Sequence, residues 1–313
     1  RSSSPEVGDK HGRSSSADSD NMRSSQSQRT NTSGGRPRAK DLDERTKEYA
    51  TTAMDLYRCY ISTLVAFPDN LIDHQLLNRA WDTTCEQMGE RLPLTPTVAK
   101  LITNRGPQVR GEVKTKVKPL VELLYGFKTG QNKKTIARNR KIAEDLKENS
   151  TFAFKHVKEK TGLYKHTIFQ MAVNAMWFAN RKDDGPRHPD LFSPSLPVEA
   201  FALVLTAVEN SIDEYLTGIR MDVPFTSNDY RSVYEGHLKS LREFAEHTAK
   251  YQILDKILIR MHSDARFHSG AQPLAAATKA TFSTQTLDAA IKEYEDGATT
   301  EDDSDAPEPV SPA

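Results

Sequence analysis

The sequence predicts an all-α fold: a single multi-helix globular domain between a disordered N-terminal arm and an acidic C-terminal tail. Three observations carry that expectation. From residue 41 to residue 268 apolar side chains recur every three to four positions in one segment after another, the spacing that gathers them on one side of a helix. Strict alternation, the mark of a half-buried strand, is confined to Phe152-Ala153-Phe154, which reads as extended but is too short to make a sheet. Residues 1–40 are rich in Ser, Arg and Gly with almost no apolar side chains, and residues 297–313 are acidic and contain prolines. Ordering either end would cost conformational entropy without apolar burial to offset it. Residues 269–296, between domain and tail, are expected to be a partly helical extension.

The first helix is expected over residues 41–67, with Tyr49, Ala53, Tyr57, Tyr60 and Ile61 inward and Asp41, Asp43 and Glu44 favouring its N-terminal end. A second, over residues 72–89, turns Leu76, Leu77, Ala80, Trp81 and Met88 inward. Thr95-Pro96 reads as an N-cap followed by Pro at the first helical position, opening a short helix that stops near Asn104-Arg105-Gly106. Residues 108–127 keep helical spacing, and Pro119 predicts a kink or a restart there. Residues 131–149 form a charged helix with a narrow stripe of Ile136, Ile142, Ala143 and Leu146.

Residues 163–180 are apolar on nearly all sides and should be buried. Residues 197–218 are the helix around which the rest is expected to be built. Phe201, Val204, Leu205, Val208, Ile212, Tyr215 and Leu216 fall on one side of it, Pro197 suits its first turn, and Gly218 is placed to close it in a left-handed cap. Between these two helices, residues 183–194, with Gly185 and three prolines, read as a surface loop. Ser227 or Asn228 then caps a helix striped by Tyr230, Val233, Tyr234, His237, Leu238 and Leu241; another runs through Ile253, Ile257, Leu258 and Met261, and a last helical segment covers residues 287–294.

Catalytic and cofactor motifs are absent: the sequence holds no His-Glu-x-x-His, no Gly-x-Ser-x-Gly, no Gly-x-Gly-x-x-Gly and no Gly-Lys-Ser/Thr loop, and no cofactor is expected. Glu209 and Asp213 are the one carboxylate pair considered as a polar site, because one turn of the central helix sets them side by side at the edge of its apolar stripe. A metal or general-acid pair needs that arrangement, and so does an ordinary solvated helix edge. The nine histidines are scattered and read as exposed or hydrogen-bonded residues, not as ligands or bases.

Net charge is zero, with 43 basic and 43 acidic residues, but the signs are segregated. Residues 105–187 carry 19 Lys plus Arg against 8 Asp plus Glu, a net of +11, whereas residues 200–313 carry 10 against 19, a net of −9. Attraction between the two parts accounts for this; so does a basic segment meeting an anionic partner. Lys133, Lys134, Arg138, Arg140 and Lys141, spread along the exposed side of the 131–149 helix, are the residues for phosphate contact. Aromatics do not interleave them, so only backbone contact is expected. Cys59 and Cys85 read as buried free thiols, with a single bridge the alternative if their two helices pair; a reducing compartment and the absence of a roughly 18-residue apolar run predict an intracellular protein, cytoplasmic or nuclear, off the membrane. The chain begins at Arg1 and not Met, the expectation for a fragment or processed form.

Gly162-Leu163-Tyr164 with Ile168-Phe169, Met176-Trp177-Phe178, Leu203 through Glu209, Ile212-Asp213-Glu214-Tyr215 with Thr217-Gly218, and Tyr230 with Tyr234 and His237-Leu238 carry a family resemblance. Through them the chain, from about residue 41 to 267, resembles an uncharacterised all-helical domain family, a domain of unknown function expanded in mushroom-forming basidiomycete fungi. That resemblance implies a helical domain behind a low-complexity arm, and it brings no catalytic residue. The reading that results is a non-enzymatic interaction domain with a protein partner. Its alternatives are a nucleic-acid-associated protein using the 131–149 helix and a small-molecule enzyme with a pocket near Glu209 and Asp213.

Overall fold

Capping side chains decide where the helices of this chain begin. The computed structural model describes residues 38–271 and 284–295; the expectations for the arm and the acidic tail lie outside the described residues. After a 3-10 turn at Ala39–Asp41, Asp43 accepts from the backbone N–H of Thr46 at 3.0 Å and opens α1 (Glu44–Thr63). Asp69 accepts from Ile72 N at 2.8 Å to open α2 (Asn70–Met88), which Gly89 closes at φ 76°. Thr95 accepts from Val98 N at 3.3 Å and Pro96 takes the first position of α3 (Pro96–Thr103), as the sequence predicts. Asp69→Ala is expected to lower stability by about 1 kcal/mol, the usual worth of an N-cap. Chemical denaturation checks this, and an unchanged midpoint would show that α2 does not depend on its cap.

Where the chain departs from the sequence reading, a local contact explains each difference. α4 (Arg105–Tyr125) follows α3 after the single residue Asn104 and continues past Pro119. Pro119 is exposed, so the carbonyl it leaves unbonded one turn earlier faces water, where the loss is cheap. α5 (Lys133–Lys147) is capped by Asn132, whose side chain accepts from Thr135 N at 2.8 Å. Of the short piece expected to be extended, Phe152 and Ala153 end a 3-10 turn (Glu148–Ala153) and only Phe154 enters a hairpin, in which β1 (Phe154–His156) pairs antiparallel with β2 (Thr161–Leu163), Phe154 opposite Leu163 and His156 opposite Thr161. The helix expected from residue 163 therefore starts later, as α6 (Thr167–Trp177). Gly162 at φ 72° and Tyr164 at φ 60° hold left-handed backbone that a helix cannot contain. This hairpin is the one sheet among the described residues, and the fold is all-α.

Residues 183–194 are not a surface loop. They make two short helical turns, α7 (Asp184–Arg187) and α8 (Pro189–Phe192), and Asp184, Gly185 and Phe192 are buried. Phe192 packs on Trp177 and Phe178 with ring centroids 6.0 and 5.9 Å away, and Arg58 Nε on α1 pairs with Asp184 at 2.6 Å. An apolar anchor and an internal ion pair outweigh the exposure that glycine and proline suggest.

α9 (Val198–Asp213) lies at the centre, touching α1, α4, α5, α6 and α10 (Ser227–His247). Every residue from Ala200 to Val208 is buried, which requires partners on all sides. Its two internal hydroxyls bond within the helix, Thr206 to Ala202 O at 2.7 Å and Ser211 to Ala207 O at 2.9 Å, so neither is stranded in the core. Leu216 departs from the expected stripe: helix α9 ends at Asp213, the periodicity stops with it, and Leu216 is 41% exposed while Tyr215 stacks on Phe127 at 4.1 Å. Thr226, and not Ser227 or Asn228, caps α10. α11 (Ile253–His268) packs on α6 and α10, and α12 (Thr284–Glu295) is the last described element. Cys59 and Cys85 are free and buried, and burial pushes the Cys59 thiol far up.

Candidate functional site

Glu209 and Asp213 project from one edge of α9, and three elements bring donors to them. Lys147, the last residue of α5, places Nζ 2.5 Å from Glu209 Oε1 and 2.8 Å from Asp213 Oδ1. From α10, two turns apart, His237 Nε2 donates to Glu209 Oε2 at 2.6 Å and the Tyr230 hydroxyl donates to Asp213 Oδ2 at 2.7 Å. All four carboxylate oxygens thus meet a donor, and both side chains are only 15% exposed. Burial pushes the Glu209 carboxyl up, but the bonds from His237 and Lys147 outweigh it and hold it at about 2. Burial would lower Lys147; Asp213 and Glu209 raise it instead, so its amine stays charged. The cluster is a closed ionic joint between α5, α9 and α10, with its proton-transfer groups occupied by one another. The spacing of the sequence pairs the two carboxylates but does not bring Lys147, His237 and Tyr230 to them; the only signal is that Tyr230 and His237 share one face of α10.

The five basic residues of α5 read as phosphate contacts, Lys133, Lys134, Arg138, Arg140 and Lys141, are all exposed, yet three have internal work. Arg138 donates to Gly126 O at 2.8 Å, binding a carbonyl at the C-terminal end of α4. Arg140 donates to Thr217 O at 3.1 Å, and Lys141 pairs along the helix with Asp145 at 3.3 Å. Lys133 and Lys134 are left without a partner among the described residues. Between these cations, buried Asn139 accepts from Lys128 N at 3.1 Å and donates to Lys128 O and Gly218 O at 2.8 and 3.2 Å. The helix read as a phosphate surface is therefore largely a buckle that holds two turns in place.

Elsewhere the chain forms an open groove of about 750 Å³ between the hairpin, the first turn of α6, Tyr251 and one face of α11. Its floor includes Tyr164, Gln170 and Met261, and Gln170 Nε2 bridges α6 to α11 by donating to Met261 O at 3.1 Å. Lys155, Lys165, Lys256 and Arg260 line it with Asp264 the one carboxylate. Neither Glu209 nor Asp213 borders it. Sequence reasoning missed this groove because Lys155 and Lys165 belong to the basic segment and Lys256 and Arg260 to the acidic third; only folding joins them. Among the described residues no group of His, Cys, Asp and Glu could hold a metal ion.

Fold and site together define a helical domain with a closed ionic joint at its centre and an open basic groove on its surface. Residues 52–244, more than half of the chain, match the family model described as Domain of unknown function (DUF6532), and the chain belongs to that family. No curated protein and no solved structure matches it. Among the described residues no helix is long and apolar enough to cross a membrane.

Proposed function

We propose that this is a non-enzymatic helical interaction domain, working with a protein partner inside the cell, in cytoplasm or nucleus, in a family expanded in mushroom-forming fungi. The observation that supports it is the closure of the Lys147–Glu209–Asp213–His237 joint. A general acid or base needs a perturbed group that can reach substrate, and here the carboxyl is held low and its oxygens are all engaged. Amine labelling followed by mass spectrometry tests this. Exposed Lys133, Lys134 and Lys165 are expected to react readily and Lys147 much more slowly, because its two carboxylate partners raise its pKa and leave less free amine to react. Labelling of Lys147 at the surface rate would mean that the joint opens to solutes and would restore the enzymatic reading.

A second reading, contact with nucleic-acid phosphates through α5, draws support from Lys133 and Lys134, exposed and without an acidic partner among the described residues. It predicts a gel shift that weakens as salt rises, with a slope that flattens by about two units when both lysines are reversed to Glu. No shift at low salt would remove it.

A further inference from the structure

The groove between the hairpin and α11 carries more than an open surface needs. Three of its cations, Lys155, Lys165 and Lys256, have no acidic partner among the described residues, and Arg260 meets Asp264 only at 3.6 Å. Four cations against one carboxylate leave an excess of +3 in one concavity. Such a cluster repels itself, so an anion of matching charge is what would stabilise it.

Backbone strain falls on the same rim. Tyr164 at φ 60° and Gln252 at φ 49° are non-glycine residues in left-handed conformation, and they stand beside Lys165 and between Tyr251 and Ile253. At Tyr164 the turn is held by its N–H donating to Ala153 O at 2.8 Å and by its ring lying edge-on to Phe201 and Phe244. The effect is to send the ring into the core and leave Lys165 outward. Gly162 lacks a Cβ where one would lie 2.8 Å from that of Lys155, so the lysine stem crosses the hairpin there. The first turn of α6 also opens into the groove: Thr167 and His166 line it, and His166 Nδ1 accepts from Ile168 N at 3.2 Å. Burial lowers the His166 pKa, and in the neutral ring the proton then sits on Nε2, which can donate.

The remaining wall is apolar, from Ile253, Ile257 and the ring of Tyr251, which is 60% exposed. Four cations and an exposed aromatic lining one concavity fit a ligand that carries both phosphates and a flat ring, and about 750 Å³ suits one small molecule better than a strand. The geometry points to this groove as a binding site for a small nucleotide-class ligand, a nucleoside diphosphate in size, with its phosphates on Lys155, Lys165, Lys256 and Arg260 and its base on Tyr251. This rests on the binding-domain reading only in taking the ligand to be held and not turned over, so labelling of Lys147 and occupancy of the groove fail independently.

Isothermal titration of the full chain with ADP, pyrophosphate and adenosine tests the assignment, using the pairs Lys165→Glu with Lys256→Glu, and Lys133→Glu with Lys134→Glu as a control away from the groove. All four lysines are exposed, so both pairs are expected to fold, and circular dichroism checks that. ADP is expected to bind, adenosine at least about tenfold more weakly, and the groove pair to lose at least about tenfold while the control is unchanged. Tyr251→Ala should weaken ADP and leave pyrophosphate alone. The site is overturned if ADP does not bind at millimolar concentration, if both pairs weaken it equally, or if adenosine binds as well. A single-stranded oligonucleotide that outcompetes ADP would mark a nucleic-acid track and overturn the nucleotide class.

Discussion

Gly218→Ala is expected to lower stability by about 3 kcal/mol or more, because two costs fall on one atom. The residue sits at φ +84°, where a Cβ costs roughly 1–2 kcal/mol, and that Cβ would lie 2.2 Å from the backbone oxygen of Ile136, adding roughly 1–3 kcal/mol of overpacking. Helix α5 cannot swing aside cheaply. Asn139 and Arg140 tie it to Gly218 O and Thr217 O, so relieving the clash breaks the bonds that seat the helix. Gly236 supplies the contrast: exposed on α10, with nothing within 4 Å of its missing Cβ, its change to Ala should stabilise by about 0.5–1 kcal/mol. Urea denaturation of both variants checks the pair, and a loss below about 1 kcal/mol at Gly218 would mean that α5 is not clamped.

Lys147→Met is expected to cost about 2–3 kcal/mol, below the roughly 3–5 kcal/mol for breaking a fully buried pair because the lysine side chain keeps 29% exposure. It leaves two carboxylates facing each other with one histidine and one hydroxyl between them. The loss should depend on pH in a set direction. The Glu209 carboxyl is held at about 2 against an ordinary 4.5, so the stability it contributes is fully present above pH 4.5 and is lost as pH falls to about 2. The difference between wild type and variant should therefore shrink over that window. Protonation of Asp55, also held at about 2 by His188 and Arg187 although burial opposes it, removes stability from both proteins alike and cancels in the difference. A gap that stays constant from pH 5 to pH 2 would show that Lys147 contributes packing alone.

How much of this was legible in the sequence depended on whether the deciding contact was local. Thr95 caps a helix within three residues of itself and was readable as a cap, whereas Asp43 and Asp69 do the same for helices that the spacing alone starts at 41 and 72; the apolar residues of α6 and α9 announce their burial by pattern alone. Glu209 and Asp213 could be paired because one helical turn separates them, but Lys147 and His237 reach them from 62 and 28 residues away. Arg138 and Arg140 look identical to phosphate contacts in sequence, since a carbonyl end and a phosphate oxygen offer the same acceptor to the same guanidinium. The hairpin was hidden because glycine and tyrosine at positive φ interrupt a run whose side chains still fit a helix. The basic groove was hidden for a different reason: its two halves lie in segments of opposite net charge.

Carboxyl titration of Glu209 by carbon-detected NMR tests most directly whether the central polar cluster is a joint or a reaction centre. As a joint, the carboxyl titrates at about 2, far below the ordinary 4.5. A midpoint at or above 4.5 in the folded protein would mean that Lys147 and His237 do not hold it, and would contradict the structural role given to the cluster here.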